Sequence, residues 1–352
     1  MQERSYWDRY NLALPFIDEI LSCNSLSIIG MAKNTGKTET LNSILYNLDY
    51  YYPQLSIGLT SIGLDGEIRD QVTQTDKPEV YLEKGTFFVT AEYYYNKKQL
   101  SAEVASIDRV YSTSIGKLIY ARVMNRGKVI IAGPATTGGL KKVISEMALL
   151  GATLTIIDGA LSRVSLASPS VADGLILATG AALSPDPNIV IEKTKDLVQQ
   201  INLPRLSDLE LIDNLDKICD GIRIITEYQE IFDPNVSSAM GKSLSQTSWW
   251  KAAKGTLYVP GLVNDTVLNL VMQHRHINGL IFKDFTKLFV SRNTLRFFLN
   301  KGKSLHCLHK TKLVGITFNP QSPQGFRMNS SEMCKRLSDA LDIRVSDVRR
   351  SA

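Results

Sequence analysis

Cysteine and histidine are scarce in this sequence, which has four of each among its 352 residues. The cysteines stand far apart, at Cys23, Cys219, Cys307 and Cys334, and none forms a Cys-x-x-Cys pair. That spacing argues against a zinc ribbon and against a disulfide scaffold. We therefore expect reduced thiols, which are typical of a cytoplasmic protein.

Long apolar runs and dense blocks of one charge are also missing. No stretch approaches the ~18 consecutive apolar residues that predict a membrane span. Residues 1–9 carry charges of both signs in place of the apolar core of a signal peptide. The net charge of +5 is spread along the chain, so neither a nucleic acid nor a membrane is indicated as a partner. With 44% hydrophobic and 21% charged residues, the chain has the composition of a globular protein of about two domains.

One stretch carries most of the chemical information. Residues 26–29 form an apolar run that predicts a buried strand, and residues 41–48 have the apolar spacing of a helix. Between them lies Gly30-Met31-Ala32-Lys33-Asn34-Thr35-Gly36-Lys37-Thr38-Glu39. A strand, a glycine-bounded loop with Gly-Lys-Thr and a helix are the context of a phosphate-binding loop, or P-loop.

The residue types in this loop fit a nucleotide. Gly36 lets the backbone approach phosphates closely, Lys37 can reach the β- and γ-phosphates, and the Thr38 hydroxyl can ligate Mg²⁺. We expect ATP and Mg²⁺ as cofactors, since no Asn-Lys-x-Asp guanine motif is placed in the sequence. Two simpler interpretations stay open, a chance Gly-Lys-Thr and a loop that binds phosphate without turnover. The expected nucleotide-binding residues are Gly30, Lys33, Asn34, Thr35, Gly36, Lys37, Thr38 and Glu39.

Two aspartates follow apolar strand patterns. Asp158 closes the run 153–158, and Asp65 comes just after the run 55–60. Ligands of α/β sheets bind at the carboxyl ends of strands, so we expect Asp65, Asp158 and Thr38 as metal ligands. Lys37, Asp65 and Asp158 are the expected catalytic residues. Each aspartate also has a structural interpretation, since Asp-Gly favours turns and an aspartate can cap the next element.

Strand and helix patterns alternate along the chain and predict an α/β fold. We expect a doubly wound, largely parallel P-loop domain with an N-terminal helix over residues 1–204. Leu203-Pro204 marks a break, and residues 205–352 predict a second α/β domain. Within the first domain the pattern favours a helix near 114–124 and a buried strand at 189–191.

The loop resembles that of dethiobiotin synthetase and related dimerising P-loop NTPases, in which a Gly is followed by five residues and Gly-Lys-Thr. Asp158-Gly159-Ala160 is similar to the strand-end turn of that enzyme, where the acid contacts Mg²⁺. In a related class a loop lysine reaches the nucleotide of a partner subunit, although from another loop position than Lys33. The resemblance therefore implies a homodimer.

A wider set of motifs resembles the P-loop subunit encoded beside lysine 5,6-aminomutase in lysine-fermenting bacteria, which is thought to help reactivate that adenosylcobalamin enzyme. This implies a regulatory ATPase acting on a protein partner, either the aminomutase or a second reactivase subunit. A small-molecule kinase or ATP-dependent ligase resembling dethiobiotin synthetase, and a nucleotide-stabilised binding module without turnover, remain alternatives. The motifs are 30–38, 60–67, Lys77-Pro78, Lys84-Gly85-Thr86, 156–163 and 317–323.

Overall fold

The computed structural model describes residues 14–62, 80–113, 115–159, 168, 171–236 and 254–349. The chain forms two compact units. The first unit comprises the described residues of Met1–Ala167, Val171–Lys195 and Lys312–Ala352, and the second those of Ser168–Ser170 and Asp196–Thr311. The predicted division at Leu203-Pro204 differs from this one, because the chain returns to the first unit after Thr311.

The elements are numbered in chain order. The strands are β1 (Ser25–Gly30), β2 (Ile57–Ser61), β3 (Val80–Leu82), β4 (Phe87–Ala91), β5 (Gln99–Thr113), β6 (Gly116–Val129), β7 (Leu154–Asp158), β8 (Gly174–Gly180), β9 (Arg223–Ile225), β10 (Ile231–Phe232), β11 (Gly255–Val259), β12 (Val263–Asn264), β13 (Ile277–Phe282), β14 (Leu288–Phe289), β15 (Ser304–Cys307), β16 (Lys312–Asn319) and β17 (Val345–Ser346). The α-helices are α1 (Ile17–Leu21), α2 (Lys37–Tyr51), α3 (Glu92–Asn96), α4 (Thr137–Leu149), α5 (Pro187–Ile201), α6 (Leu209–Asp216), α7 (Asp265–Gln273), α8 (Arg292–Asn300) and α9 (Ser330–Leu341). In the described part of the chain, no helix combines the length and apolar character needed to cross a membrane.

The first unit is built on a ten-stranded sheet with the order β17-β16-β8-β1-β7-β2-β4-β6-β3, in which β5 also pairs with β6. Neighbours from β17 to β4 run parallel. Strand β6 runs antiparallel to β4, β3 and β5. The predicted α/β class is confirmed, and the sheet is mixed because the β5–β6 hairpin adds antiparallel strands to it.

The helix predicted near 114–124 is wrong, because residues 116–124 belong to β6. Residues 118–121 are all buried, and they alternate between two core clusters. Ile119 and Ala121 join one cluster, while Leu118 and Tyr120 join the other. A strand covered on both faces gives a continuous apolar run, which periodicity alone does not distinguish from a buried helix.

The strand predicted at 189–191 is also wrong, because these residues lie in the first turn of α5. Asp186 precedes the helix, and its Oδ1 accepts a hydrogen bond from the Asn188 N–H at 2.8 Å. Pro187 occupies the first helical position, where its fixed φ favours the helix and no N–H is needed. Val190 is buried and Ile189 is exposed, as expected for one helix face.

The second unit has its own sheet, with the order β10-β9-β11-β13-β15. Strands β11, β13 and β15 run parallel, and β9 is antiparallel to both β11 and β10. A hydrophobic cluster that includes Leu257, Leu280 and Phe298 forms its core. This unit therefore also has α/β architecture, whereas the predicted second α/β domain covered residues 205–352.

The strand order of the first unit determines which residues meet. Strand β1 is buried throughout and lies between β7 and β8. In register, Ile28 lies opposite Asp158, Gly30 opposite Ala178, and Asn319 opposite Gly180. The carboxyl ends of β7, β1, β8 and β16 thus form one edge, the place where open α/β sheets bind ligands.

Candidate functional site

The loop between β1 and α2 turns through two left-handed residues. Asn34 has a φ of 65° and Gly36 has a φ of 92°. A Cβ at Gly36 would lie 2.8 Å from the Cβ of Asn319. Gly36 is therefore required both by its backbone angle and by close packing, which explains the second glycine of the motif.

Gly30 and Thr35 fix the inside of the same loop. A Cβ at Gly30 would lie 2.7 Å from the Oγ1 of Thr35. Thr35 is buried, and its hydroxyl donates to the Ala32 carbonyl at 2.9 Å. The Met31 N–H donates to the Ala178 carbonyl in β8 at 2.9 Å. These contacts shape the loop and attach it to the neighbouring strand.

The N-terminus of α2 is prepared for an anion. Its N-cap residue is Gly36, which has no side chain to cap the helix. The first N–H groups of an α-helix have no intrahelical partner, and an anion is a common partner for them. Helices α4, α6, α7, α8 and α9 are capped instead by the side chains of Thr136, Asp208, Asn264, Ser291 and Asn329.

The structure brings together Lys37 and Asp158, two of the predicted catalytic residues. Lys37 begins α2, and its Nζ donates to the Oδ1 of Asp158 at 2.5 Å. The two side chains are 25% and 22% exposed. Both charged groups keep some contact with solvent, so the pair is easier to separate than a fully buried ion pair. An incoming phosphate can therefore replace Asp158 as the partner of Lys37 at small cost.

Other predicted loop residues have varied surroundings. Thr38 is half-buried at the second position of α2, and Lys33 is exposed on the loop. Glu39 forms a two-point ion pair with Arg349, with Oε1–Nη2 and Oε2–Nε distances of 2.7 and 3.1 Å. Glu39 is thus held by the C-terminal segment, which gives this residue a structural role that the sequence did not predict.

Asp65 lies outside the described residues. Strand β2, which precedes it, ends at Ser61, and Ser61 lies opposite Asp158 in the sheet register. Within the described ranges, His, Cys, Asp and Glu side chains do not gather in groups of three that could hold a metal ion. Mg²⁺ at nucleotide sites needs only one or two protein ligands besides phosphate and water. Thr38 and Asp158 therefore fit a magnesium nucleotide better than a resident metal.

The sequence did not predict that Asn319 contacts the loop. It ends β16, and its Nδ2 donates to the Asn34 carbonyl at 2.9 Å. The sequence placed residues 317–323 among the motifs of the resemblance, within the second predicted domain, and indicated no contact of Asn319 with the loop. No local pattern indicates this contact, because it depends on β16 lying beside β8.

A cavity of about 140 Å³ lies away from the loop. The residues that line the cavity lie near the amino ends of β2 and β4. The loop lies instead at the carboxyl ends of the parallel strands. The candidate nucleotide site is therefore an open sheet edge and not this cavity. The lining residues are Leu45, Asp49, Arg122 and those of 52–57 and 81–86.

Comparison of the chain with protein-family models, with curated proteins and with solved structures finds no match. The residues described above are therefore the basis on which a function is proposed.

Proposed function

We propose that this chain is a Mg²⁺-dependent P-loop NTPase that binds ATP at the edge where β1, β7, β8 and β16 end. The observation that carries the proposal is the Lys37–Asp158 pair at the uncapped N-terminus of α2. In this proposal the parallel strands from β17 to β4 are a doubly wound nucleotide-binding core, and the antiparallel hairpin is an addition to it.

The side chains at this edge have complementary tasks. The N–H groups of the first turn of α2 bind phosphate oxygens. Lys37 exchanges Asp158 for the β- and γ-phosphates, which frees the Asp158 carboxylate to orient a water or a cation ligand. Thr38 and Asp158 would hold Mg²⁺, with Asp65 as a further ligand. The ion, when bound, neutralises charge on the phosphate oxygens.

The order of the two units along the chain favours a regulatory role. The main segment of the second unit, Asp196–Thr311, begins within α5 and ends just before β16. Strands β8 and β16, which flank this insertion, both contact the loop through Ala178 and Asn319. Ser168, which follows Asp158 along the chain, belongs to the second unit by its contacts, where its buried hydroxyl donates to Asp284 at 2.8 Å. We infer that nucleotide state at the loop biases the second unit, since a ligand shifts a conformation only by binding its states differently.

The proposed partner is a protein. Following the resemblance, it is an adenosylcobalamin-dependent aminomutase or a second reactivase subunit. Such enzymes are inactivated when damaged cobalamin stays bound, and its release requires the enzyme to open. A nucleotide-driven change of shape, in a homodimer or a hetero-complex, supplies such an opening step.

A reduced, cytoplasmic setting fits the thiols. All four cysteines are free. Burial raises the pKa of Cys307 and that of Cys334 to about 11. The fraction of these two thiols present as reactive thiolate at neutral pH is therefore lower than for an exposed cysteine. They serve as packing groups in the proposed enzyme and not as nucleophiles.

Replacement of Lys37 tests the nucleotide site. Lys37→Ala removes a charge-assisted contact to phosphate, so we expect ATP and ADP affinity to fall by roughly 10- to 100-fold. Isothermal titration calorimetry and the nucleotide-dependent rise in melting temperature measure this loss. Lys33→Ala removes the same charge from the exposed part of the loop and should have a smaller effect. Wild-type affinity in Lys37→Ala would contradict the proposed site.

Hydrolysis assays with and without co-purifying proteins test the regulatory role. We expect ATP turnover to rise when the partner protein is added. Turnover that requires a metabolite instead, with a phosphorylated or ligated product, would favour a kinase or ligase. Equal stabilisation by ADP and ATP without any turnover would favour a binding module.

A further inference from the structure

The side-chain amide of Asn319 is oriented at both ends. Its Nδ2 donates to the carbonyl of Asn34 at 2.9 Å, inside the loop. Its Oδ1 accepts from the backbone N–H of Gln321 at 3.1 Å. The second bond forms a local turn that leaves Nδ2 directed at the loop. Asn319 therefore contributes a fixed hydrogen-bond donor to the backbone of the loop.

Two glycines allow Asn319 to lie this close. A Cβ at Gly36 would come within 2.8 Å of the Asn319 Cβ. A Cβ at Gly180, at the end of β8, would come within 2.6 Å of the Asn319 carbonyl oxygen. Contacts below 3 Å are closer than a Cβ tolerates, so Asn319 occupies a slot that only glycines on both sides leave open.

The same strand also holds the start of α2. The Thr317 and Thr40 hydroxyls are hydrogen bonded at 2.7 Å, and both residues are buried. The Thr40 hydroxyl also lies 3.0 Å from the Gly36 carbonyl. Strand β16 thus contacts the phosphate loop at Asn34 and the first turn of the helix at Thr40.

We propose that Asn319 is a positioning residue that holds the phosphate loop in its binding shape. This inference rests on the proposed nucleotide site. Asn34 has a left-handed φ of 65°, which asparagine adopts more readily than most non-glycine residues, and the bond from Asn319 to its carbonyl favours this conformation over the others open to the loop. Without the bond from Asn319, the loop spends less time in the competent shape. The apparent dissociation constant then rises in proportion to the lost fraction.

The placement of Asn319 makes nucleotide affinity depend on β16. This strand begins directly after Thr311, where the second unit ends. It is the strand by which the chain returns to the first unit. In this proposal nucleotide affinity therefore depends on the strand that follows the second unit along the chain.

Three variants test the inference. Asn319→Ala removes the donor and should weaken phosphate binding about five- to tenfold. Asn319→Asp keeps the size but places an anionic acceptor against the Asn34 carbonyl and beside an anion site, so it should weaken binding further. Gln321→Ala is the matched control, because Gln321 bonds Asn319 only through its backbone N–H. We expect this variant to bind like the wild type.

The probes separate positioning of the loop from a direct contact with the nucleoside. Titration calorimetry is done with MgATP, with MgADP and with the magnesium salt of inorganic triphosphate. A positioning residue acts through the loop and should change all three affinities by the same factor. The melting temperature of each unliganded variant reports general stability. We expect it to change little, because Asn319 is only half-buried.

The outcomes are distinct. Parallel losses for all three probes, with an unchanged melting temperature, support the inference. Wild-type affinities in both Asn319 variants overturn it and leave the proposed function intact. A loss for ATP that spares inorganic triphosphate also overturns it, because Asn319 then contacts the nucleoside. A wild-type protein that binds none of the probes overturns the proposed function and this inference together.

Discussion

At the scale of single residues, Asp158 matters because it has two mutually exclusive partners. In the structure its carboxylate accepts from Lys37, and in the proposed nucleotide complex the same oxygens face a hydrated cation. In that complex the Lys37 ammonium would exchange this carboxylate for phosphate. The pairing of Lys37 with Asp158 gives each charge a partner in the absence of nucleotide, which lowers the electrostatic cost of that state.

Replacement of Asp158 by Asn should separate these roles. Asp158→Asn keeps the size of the side chain and removes the charge that competes for Lys37. We expect nucleotide affinity in the absence of Mg²⁺ to be maintained or to rise a few-fold, about 1 kcal/mol at most. The gain in affinity on adding Mg²⁺ and the hydrolysis rate should both be lost. Titrations in EDTA and in Mg²⁺ measure the two effects.

Asp173→Asn is a matched control for this charge change. The Asp173 carboxylate accepts from the N–H groups of Asn24 and Ser25, at the opposite end of β1. Its loss should lower stability without altering the Mg²⁺ dependence of binding. An Asp158→Asn protein that keeps the wild-type response to Mg²⁺ would show that this carboxylate has no part in metal binding.

Residues of the local motif were predictable, and residues that reach it from elsewhere were not. Lys37 and Asp158 were found because each stands at a strand or helix end where ligands bind. The role of Asn319 was not found, because its contact depends on the order of strands in the sheet. Arg349 was missed for the same reason, and with it the ion pair that occupies Glu39.

At the scale of elements, β16 and α2 are joined by a buried pair of hydroxyls. The Thr40 hydroxyl is hydrogen bonded to the Thr317 hydroxyl and also to the Gly36 carbonyl, whereas the partner of the Thr317 hydroxyl is Thr40. Removing one hydroxyl therefore has unequal consequences. In Thr317→Val the Thr40 hydroxyl keeps its bond to the Gly36 carbonyl. In Thr40→Val the Thr317 hydroxyl loses its hydrogen-bond partner on α2.

A double-mutant cycle on this pair checks the element contact. We expect Thr317→Val to lower the free energy of unfolding by about 1 kcal/mol, and Thr40→Val to cost more, within about 1–3 kcal/mol. The double variant should cost less than the sum, because the shared bond is lost only once. Urea denaturation measures these values. Additive losses would show that the two hydroxyls are not coupled.

The wrongly predicted elements have identifiable causes. A helix was predicted near 114–124, where the consecutive apolar residues 118–121 lack the alternation of a half-exposed strand. In the structure these residues are all buried in β6, which pairs with β4 and β5. The strand at 189–191 was avoidable, since Asp186-Pro187 is a helix-start signal that precedes it. Local propensity is a weak guide where tertiary pairing covers both faces.

At the scale of the whole molecule, the chain leaves the first unit after β8 and returns with β16. The sequence indicated the α/β class and a break at Leu203-Pro204, whereas the structure divides the chain after Lys195 and again after Thr311. The sequence did not indicate the return, because parallel pairing of β16 with β8 joins segments that are far apart in sequence. Residues 205–352 were therefore predicted as one domain.

Hydrogen exchange followed by mass spectrometry tests this return. MgADP should slow exchange in peptides that cover 26–48, 154–159 and 312–319, since ligand binding stabilises the unit that contains its site. Peptides from 255–282 should respond less. If MgADP changes the exchange rate of the 312–319 peptide as little as that of the second-unit peptides, the division of the chain described above is incorrect.

The late position of β16 along the chain also has a consequence for biosynthesis. Strand β8 is buried at every residue, yet its outer edge is covered by chain that the ribosome makes only after the second unit. Until then the nascent protein presents an apolar strand edge, which favours contacts with chaperones or with other nascent chains. If Asn319 positions the loop as proposed, nucleotide binds that intermediate more weakly than the finished protein, because the donor from Asn319 has yet to be synthesised.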